Sequence, residues 1–342
     1  MRQPDFDNLL SVLRREKPKR PTLFEFFLND PLYRRLAGTD ETYVWQSAEW
    51  CRMAIRAYTN AGYDYTTVPG SDFCFPAKQI ETKASRSMSD SAIIGNRADF
   101  EAYPWQDPDL ADYSRLTGLR DDLPHGMKLV VHGPSGVLEN VMQLVGYEPL
   151  CYMIQDDADL VADIFDAVGS RLLRYYEICS SFDTVGALIV NDDWGFNTQT
   201  MLAPADMRKY VIRWHKKIVE VIHASGKPAI LHSCGKLDEV MDDIIDVIGF
   251  DGKHSFEDKI EPVEDAYERW GSRIAILGGI DLNFVCRSSP VEVKTRSQAM
   301  LDRSSSRGGY ALGTGNSVPE YVPVENYFAM ISAATGEESS VE

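Results

Sequence analysis

Cysteine, long apolar runs and basic residues are all scarce in this sequence, and each scarcity excludes a class of protein. The six cysteines among 342 residues form no CxxC pair and no spacing typical of a disulfide framework. No apolar stretch reaches the roughly 18 residues of a membrane-spanning helix, and the first residues lack the apolar segment of a signal peptide. We therefore expect a cytoplasmic protein with free thiols and no membrane association.

The charge of the chain argues against a nucleic-acid partner. Acidic residues outnumber basic ones by 52 to 35, which gives a net charge of −17 and a surface that repels duplexes and anionic lipids. The one dense basic run, at residues 14–20, is interpreted as a solvated helix end and linker. The expected partner is a small molecule. The sequence leaves the oligomeric state open, with a homodimer among the arrangements it allows.

Eight short apolar, β-branched runs alternate with helical patterns along most of the chain. They cover residues 21–27, 63–68, 128–132, 185–190, 228–232, 247–252, 273–277 and 309–312. Alternating strands and helices indicate a parallel sheet with right-handed crossovers, and eight of them favour closure. The predicted fold is an α/β (β/α)8 TIM barrel that forms a single domain over residues 1–342.

Three segments exceed the simple repeat. Residues 28–62 are expected to hold extra helices near the N-terminus. Residues 70–127, rich in turn formers and aromatic residues, are interpreted as an insertion or lid at the barrel mouth. Residues 335–342 are expected to be a flexible acidic tail.

Polar side chains follow the predicted strands, where a barrel carries its catalytic groups. The candidate catalytic residues are Asp72, Asp192, Asp193 and Asn316. The candidate substrate-binding residues are Glu25, His132, Trp194 and Asp281. Four of them have a plainer interpretation as well: Asp72 as a turn residue, His132 as a core histidine, and the two adjacent aspartates, which could orient a substrate or His232, as helix N-terminal acids.

The most specific pattern is His232-Ser233-Cys234-Gly235, directly after the fifth predicted strand. Residues two apart in an extended segment can project to the same side, so the imidazole and the thiolate could share a Zn²⁺ ion. The alternative is a histidine and a cysteine that only pack. A catalytic zinc uses three protein ligands and an open position, and further donors nearby are Glu257, His254, Asp281 and Cys286.

Five stretches carry a resemblance to a known superfamily over about residues 5–334. They are VVHGPSGVLENVMQLVGYE, NDDWGFNTQTMLAPADMRKY, IHASGKPAILHSCGKLDEVMDDI, ILGGIDLN and ALGTGNSVPEYVPVENYFAMI. In this order they resemble the uroporphyrinogen decarboxylase superfamily. The resemblance implies a TIM barrel and one of two chemistries: cofactor-free decarboxylation of uroporphyrinogen, or methyl transfer with a corrinoid protein.

The branches differ at a few positions. His232 and Cys234 match the HxC pair of the zinc-dependent methylcobalamin:coenzyme M methyltransferases, whose further cysteine falls at about Asn316 here. That position also lacks the histidine of the decarboxylases. The decarboxylase arginines after the first strand are absent from residues 24–30, although Asp72 stands where those enzymes place their essential aspartate.

The resemblance therefore favours the methyltransferase branch. By similarity to cobalamin-independent methionine synthases, Glu257 is the implied third zinc ligand beside His232 and Cys234. The implied function is methyl transfer between a methylcorrinoid, carried by a partner protein, and a thiol or a methyl-ether or amine substrate. The alternatives are a decarboxylase that uses Asp72 and a non-catalytic binding barrel.

Overall fold

Seven short parallel strands, hydrogen-bonded in chain order, form the central sheet of the computed structural model, which describes residues 2–76 and 92–336. All six neighbouring pairs are parallel. The strands are β1 Tyr65–Pro69, β2 Lys128–His132, β3 Val185–Asn191, β4 Ala229–His232, β5 Gly252–His254, β6 Ala275–Leu277 and β7 Tyr310–Ala311. The sheet curls on itself as a TIM-barrel-like α/β fold, as the alternating pattern predicts.

The eighth position of the barrel is occupied by residues 21–27, without a regular ladder. On one side, Leu23 bridges Leu312 in parallel, and Phe24 N donates to Leu312 O at 2.8 Å. On the β1 side, a tyrosine hydroxyl replaces the backbone ladder: Tyr65 accepts from Glu25 N at 2.8 Å and donates to Glu25 O at 2.7 Å. The barrel is therefore closed in part by side chains.

Helices enclose the sheet. They are α1 Asp7–Leu13, α2 Asp30–Ala37, α3 Ala48–Ala61, α4 Arg97–Ala102, α5 Ser114–Gly118, α6 Val137–Val145, α7 Tyr147–Asp156, α8 Ala158–Ser180, α9 Pro204–Asp206, α10 Arg213–Ala224, α11 Val263–Trp270, α12 Leu282–Arg287, α13 Pro290–Ser304 and α14 Val324–Thr335. Single 3₁₀ turns cover Pro108–Leu110, Arg120–Asp122 and Asp238–Val240, and π-helical segments cover Met207–Ile212 and Asp243–Ile248. The extra N-terminal helices predicted for residues 28–62 are α2 and α3.

Helix α1 lies at the amino ends of the strands. The Phe6 ring packs directly on Gly186 near the start of β3, and Leu13 packs on Gly252 at the start of β5. Both apolar side chains are buried, with 6% and 1% of their surface exposed. This end of the barrel is closed by the core, which leaves the carboxyl ends of the strands for the functional site.

Two predicted strands are not found as expected: residues 21–27 form only the isolated bridge at Leu23, and residues 247–252 are misplaced. Residues 247–252 were expected to be extended, but Asp243–Ile248 is π-helical and the strand is Gly252–His254. The start of the apolar run instead lies on the buried face of this helix, where Ile244 and Ile248 are buried. A short apolar run does not distinguish these two outcomes.

The insertion predicted at residues 70–127 is described only in part, since residues 77–91 lie outside the described residues, as do 337–342 of the predicted tail. Residues 105–110 lie against α8, where Arg171 donates to Gln106 O at 2.9 Å and Arg174 pairs with Asp109 at 2.6 Å. Within the described part of the chain, no helix is both long and apolar enough to cross a membrane.

The role of Tyr65 in closing the barrel can be tested by removing its hydroxyl. Tyr65→Phe leaves the buried N–H of Glu25 without its partner, and we expect a loss of about 2 kcal/mol of unfolding free energy, measured by urea denaturation. Tyr310→Phe is the matched control, because the buried Tyr310 hydroxyl has no hydrogen-bond partner among the described residues. Equal stability of the two variants would contradict closure by side chains.

Candidate functional site

The register of the sheet brings four polar residues together at the carboxyl ends of neighbouring strands. His132 ends β2, Asn191 ends β3, His232 ends β4 and His254 ends β5. His232 is the direct register partner of both Asn191 and His254. The sequence pattern placed His232 at this end of the barrel, and the structure confirms that placement.

The loop after β4 is held tightly against the loop after β3. Cys234 N donates to Asp193 Oδ1 at 2.8 Å, and Gly195 N donates to Cys234 O at 3.1 Å. Gly235 has a φ of 89°, and a Cβ there would lie 2.1 Å from the Gly195 carbonyl carbon. Residue 235 must be a glycine because its φ is positive and because the Gly195 backbone lies so close. The position of the Cys234 thiol therefore depends on this glycine.

Asp193, His232 and Cys234 form a cluster of ligand atoms that lie within 4.8 Å of one another. His232 Nε2 and Cys234 Sγ are 4.0 Å apart. His232 is buried, and the other two are partly buried. An imidazole nitrogen, a thiol and a carboxylate are donors that zinc accepts, and three of them leave one position open.

A chain of hydrogen bonds orients the His232 ring within this cluster. His254 Nε2 lies 3.1 Å from Thr314 O, and a carbonyl only accepts, so this nitrogen carries the proton. Burial lowers the pKa of His254 to about 3, so its ring is neutral and its Nδ1 accepts. The proton in the 2.8 Å contact between the two Nδ1 atoms therefore belongs to His232. The lone pair of His232 Nε2 faces the Cys234 sulfur.

Asn316 approaches the same sulfur from the loop after β7. Its Oδ1 accepts from Ser317 N at 2.7 Å, which directs its Nδ2 to donate to Cys234 Sγ at 3.1 Å. The backbone carbonyl of Asn316 lies 2.5 Å from the Thr314 hydroxyl. Asn316 therefore belongs to the site as a hydrogen-bond donor to the thiol.

Glu25 is buried behind this loop. Its carboxyl contacts Thr314 N at 2.8 Å and Thr314 Oγ1 at 2.6 Å. The single hydroxyl proton of Thr314 is needed by the Asn316 carbonyl, so Glu25 supplies the proton of its own contact with Oγ1. Burial raises the pKa of Glu25 to about 8, in agreement with a neutral carboxyl. Glu25 is fully buried and supports the site by holding Thr314 in place.

The electrostatics of the cluster oppose a bare Cys234 thiolate. Burial, followed by the Asp193 charge, raises the pKa of the Cys234 thiol to about 12. Burial, then the neighbouring His254, holds the pKa of His232 well below its usual range. Lys253 is also buried, and its ammonium donates to Ser255 O at 2.7 Å. A Cys234 thiolate beside Asp193 therefore requires positive charge, which the nearby Lys253 supplies in part and a bound metal ion would supply directly.

Asp192 and Trp194 face away from this cluster. The Asp192 carboxylate accepts from Leu138 N at 3.0 Å and Glu139 N at 2.9 Å at the start of α6, and contacts His215 Nε2 at 2.8 Å. Trp194 is buried against the His215 ring, with 4.8 Å between ring centroids. Both residues hold the β3 loop in place, Asp192 by accepting from the first amides of α6 and Trp194 by packing on His215.

Three of the predicted additional ligands lie outside the cluster. Glu257 and Asp281 line a cleft that reaches Asn316, where Asp281 accepts from Phe284 N at 2.8 Å and Asp258 N at 3.0 Å. Cys286 Sγ lies 4.0 Å from Tyr321 O in the same region. The fourth, His254, orients His232. Asp193 replaces Glu257 beside the pair, because the loop after β3 folds onto the loop after β4.

A second cleft at the mouth contains Asp72 and His132. It is also lined by Arg115 and Asn191, which the sequence interpretation did not single out. Asp72 is exposed, and its Oδ1 accepts from Asp112 N at 2.8 Å. Phe26 separates the two sites, since its ring lies 5.5 Å from the His132 ring and 4.7 Å from the His232 ring. No sequence spacing links Arg115 to His132, so only the fold could reveal their proximity.

Comparisons with solved structures agree on the architecture. A methyltransferase from Methanosarcina mazei matches with a TM-score of 0.70 at 15% identity, over 96% of this chain and 97% of that chain. A putative vitamin-B12-independent methionine synthase from Listeria monocytogenes matches with a TM-score of 0.53 at 11% identity, over 94% of this chain and 100% of that chain. At these identities the similarity shows the fold alone.

Sequence comparisons give the family. Uroporphyrinogen decarboxylases from Streptomyces avermitilis and Chloroflexus aurantiacus are 29% and 26% identical, over 56% and 46% of this chain. The matches span about half the length of these curated relatives, 48% and 43%. The family described as uroporphyrinogen decarboxylase (URO-D) matches residues 6–336. The chain belongs to the uroporphyrinogen decarboxylase family.

Proposed function

We propose that this protein is a zinc-dependent methyltransferase that acts with a corrinoid protein. The observation that carries the proposal is the hydrogen-bond chain from Thr314 through His254 to His232, which directs the free Nε2 lone pair at Cys234 Sγ. Orientation of a metal-binding histidine by a partner on its other nitrogen is the usual arrangement at zinc sites. A histidine that only packs also needs a partner for its buried N–H, so the distinguishing feature is that the other nitrogen lies beside a thiol and a carboxylate.

The residues present fit a zinc ion. His232 and Cys234 would hold it with Asp193, whose ligand atoms already lie within 4.8 Å of theirs. Zinc in such a site supplies Lewis-acid chemistry, lowering the pKa of a thiol or polarising the oxygen of a methyl ether. This assignment replaces Glu257 with Asp193 as the third ligand.

The chain's own residues then have distinct tasks. His254 keeps His232 in one tautomer, because its Nδ1 accepts the Nδ1 proton of His232. Asn316 donates to the Cys234 sulfur at 3.1 Å and so stabilises the thiolate form. Phe26 covers the His232 ring at 4.7 Å and limits access of water to that side. The buried, neutral Glu25 fixes the Thr314 backbone on which the arrangement depends.

The corrinoid partner is proposed from similarity. The Methanosarcina mazei structure is described as a methyltransferase, and the chain combines that fold with a cluster of zinc-compatible donors. The methyl group would pass between a methylcorrinoid held by the partner protein and a small thiol, ether or amine bound at the barrel mouth.

Decarboxylation is the competing function, because the curated relatives are uroporphyrinogen decarboxylases and Asp72 lies in the mouth cleft. Uroporphyrinogen carries eight carboxylates, which require several cationic partners. Among the described residues that line this cleft, Arg115 is the one arginine, and no lysine lines it. We therefore propose that uroporphyrinogen is not the substrate.

The first prediction tests the metal and the reaction together. Cys234→Ala removes a zinc donor, and we expect the purified variant to lose zinc and corrinoid-dependent methyl transfer while circular dichroism shows the native fold. Elemental analysis should find about one zinc per chain in the unmodified protein. Cys286→Ala is the control, since Cys286 lies outside the cluster and should keep both properties. Full activity in Cys234→Ala would refute the proposal.

The second prediction distinguishes the two candidates for the third ligand. Asp193→Asn keeps an oxygen to accept the Cys234 N–H but removes the charge, and should weaken zinc binding by at least about tenfold. Glu257→Gln should leave the affinity unchanged. Competition with a chromophoric chelator gives both values. If only Glu257→Gln lowers the affinity for zinc, the third ligand is Glu257, as the resemblance to the methionine synthases implies.

The third prediction concerns the substrate. Under anaerobic conditions the protein should not convert uroporphyrinogen to coproporphyrinogen at roughly 1 s⁻¹ or more, a rate typical of enzymes. An established uroporphyrinogen decarboxylase in the same assay is the positive control. Turnover that disappears in Asp72→Asn would instead show a cofactor-free decarboxylase.

A further inference from the structure

The mouth cleft, which lies beside the proposed metal ligands Asp193, His232 and Cys234, has the features of a binding site of its own. Its volume is about 750 Å³, and it lies between the ends of β1, β2 and β3 and the segment that precedes α3. Aromatic rings form part of its wall: Phe27, Trp45 and Phe73. Phe26 lies between the cleft and the proposed metal ligands, and its ring contacts both His132 and His232.

Three buried polar atoms of residues that line this cleft have no hydrogen-bond partner among the described residues. They are His132 Nε2, Arg115 Nη1 and Asn191 Oδ1. His132 is only 4% exposed, so its nitrogen is shielded from bulk solvent. A buried polar atom without a partner costs free energy, so these three atoms are groups that a ligand in the cleft would stabilise by bonding to them.

The chemistry of each atom specifies what the ligand must offer. His132 Nδ1 lies 3.1 Å from Gly133 O and carries the proton, so Nε2 can only accept. The amide oxygen of Asn191 also accepts. Arg115 can only donate, and its guanidinium matches a carboxylate. The ligand therefore needs both a hydroxyl or N–H group and an anionic group.

The charges around Arg115 support an anionic ligand. Arg115 makes no salt bridge and no hydrogen bond with any described residue, although the chain has 52 acidic residues to 35 basic ones. The nearby acids are engaged with backbone amides: Asp72 Oδ1 accepts from Asp112 N, and Asp112 Oδ1 accepts from Ser114 N, both at 2.8 Å. The Asp112 charge acts on Arg115, but its hydrogen bonds go to Ser114, so the half-buried guanidinium has no direct ion pair among the described residues, which favours a bound anion.

We propose that this cleft binds a small carboxylic acid that carries a hydroxyl or N–H donor on a flat apolar body. The carboxylate pairs with Arg115, the donor bonds to His132 Nε2, and the body lies against Phe27 and Trp45. As the substrate site for methyl transfer, this assignment rests on the proposed function. As a binding site it does not, so its test uses metal-free protein without corrinoid.

The probes are the three isomers of hydroxybenzoate, compared with benzoate and phenol, each of which lacks one of the two groups. Binding is measured by titration calorimetry and by the change in tryptophan fluorescence, to which Trp45, 48% exposed at the cleft, contributes as one of six tryptophans. We expect at least one isomer to bind roughly tenfold or more tightly than both benzoate and phenol. Failure of all three isomers to bind, or phenol binding as tightly as the best isomer, overturns the proposal.

Variants assign the contacts. Arg115→Gln and His132→Phe should each lower the affinity for the best isomer by roughly tenfold or more. Arg115→Lys should keep part of the affinity that Arg115→Gln loses. Arg120→Gln, an exposed position outside the cleft lining, is the matched control and should bind normally. Equal affinity of Arg115→Gln and Arg120→Gln refutes the assignment. Binding of the acid without any methyl transfer would refute the proposed function alone.

Discussion

The backbone carbonyl of Thr314 sets the orientation of the whole proposed metal cluster. It accepts from His254 Nε2 at 3.1 Å and from Gly279 N at 2.9 Å, so both of its lone pairs are used. The proton positions of two buried imidazoles follow from this one acceptor. The approach is close: Gly278 has a φ of 68°, and a Cβ there would lie 2.3 Å from Thr314 O and 2.9 Å from the His254 ring. The glycine pair after β6 is therefore a structural requirement of the site.

Much of the fold could be predicted because turn residues separate its apolar runs clearly. Residues 128–132, between Gly126 and Gly133-Pro134, form a strand with the predicted bounds. The run at 247–252 was misplaced because an apolar segment suits the buried side of a helix as well as a strand. Residues 21–27 were predicted as a strand and do occupy the eighth position, but they form only an isolated bridge, since a tyrosine hydroxyl replaces the ladder to β1.

The site was predictable where its members are close in sequence. His232 and Cys234 are recognisable because they follow an apolar strand and lie two residues apart. The placement of Asp193 beside Cys234, 41 residues away in the chain, depends on how two loops fold together. Arg115 reaches the mouth cleft from α5, outside the strand ends where sequence reasoning searches for polar groups. Contacts of this kind are set by packing between distant segments, which spacing along the chain does not encode.

Closure of the barrel and geometry of the site share one residue. The backbone of Glu25 is held on the β1 side by Tyr65, and its neutral carboxyl holds Thr314 N and Oγ1 on the β7 side. Gly313 packs on the same segment, since a Cβ there would lie 1.7 Å from Phe24 O. Displacement of residues 21–27 would therefore move the Thr314 carbonyl and, through His254, the nitrogen that faces Cys234. The irregular eighth position thus couples the stability of the barrel to the orientation of its proposed metal ligands.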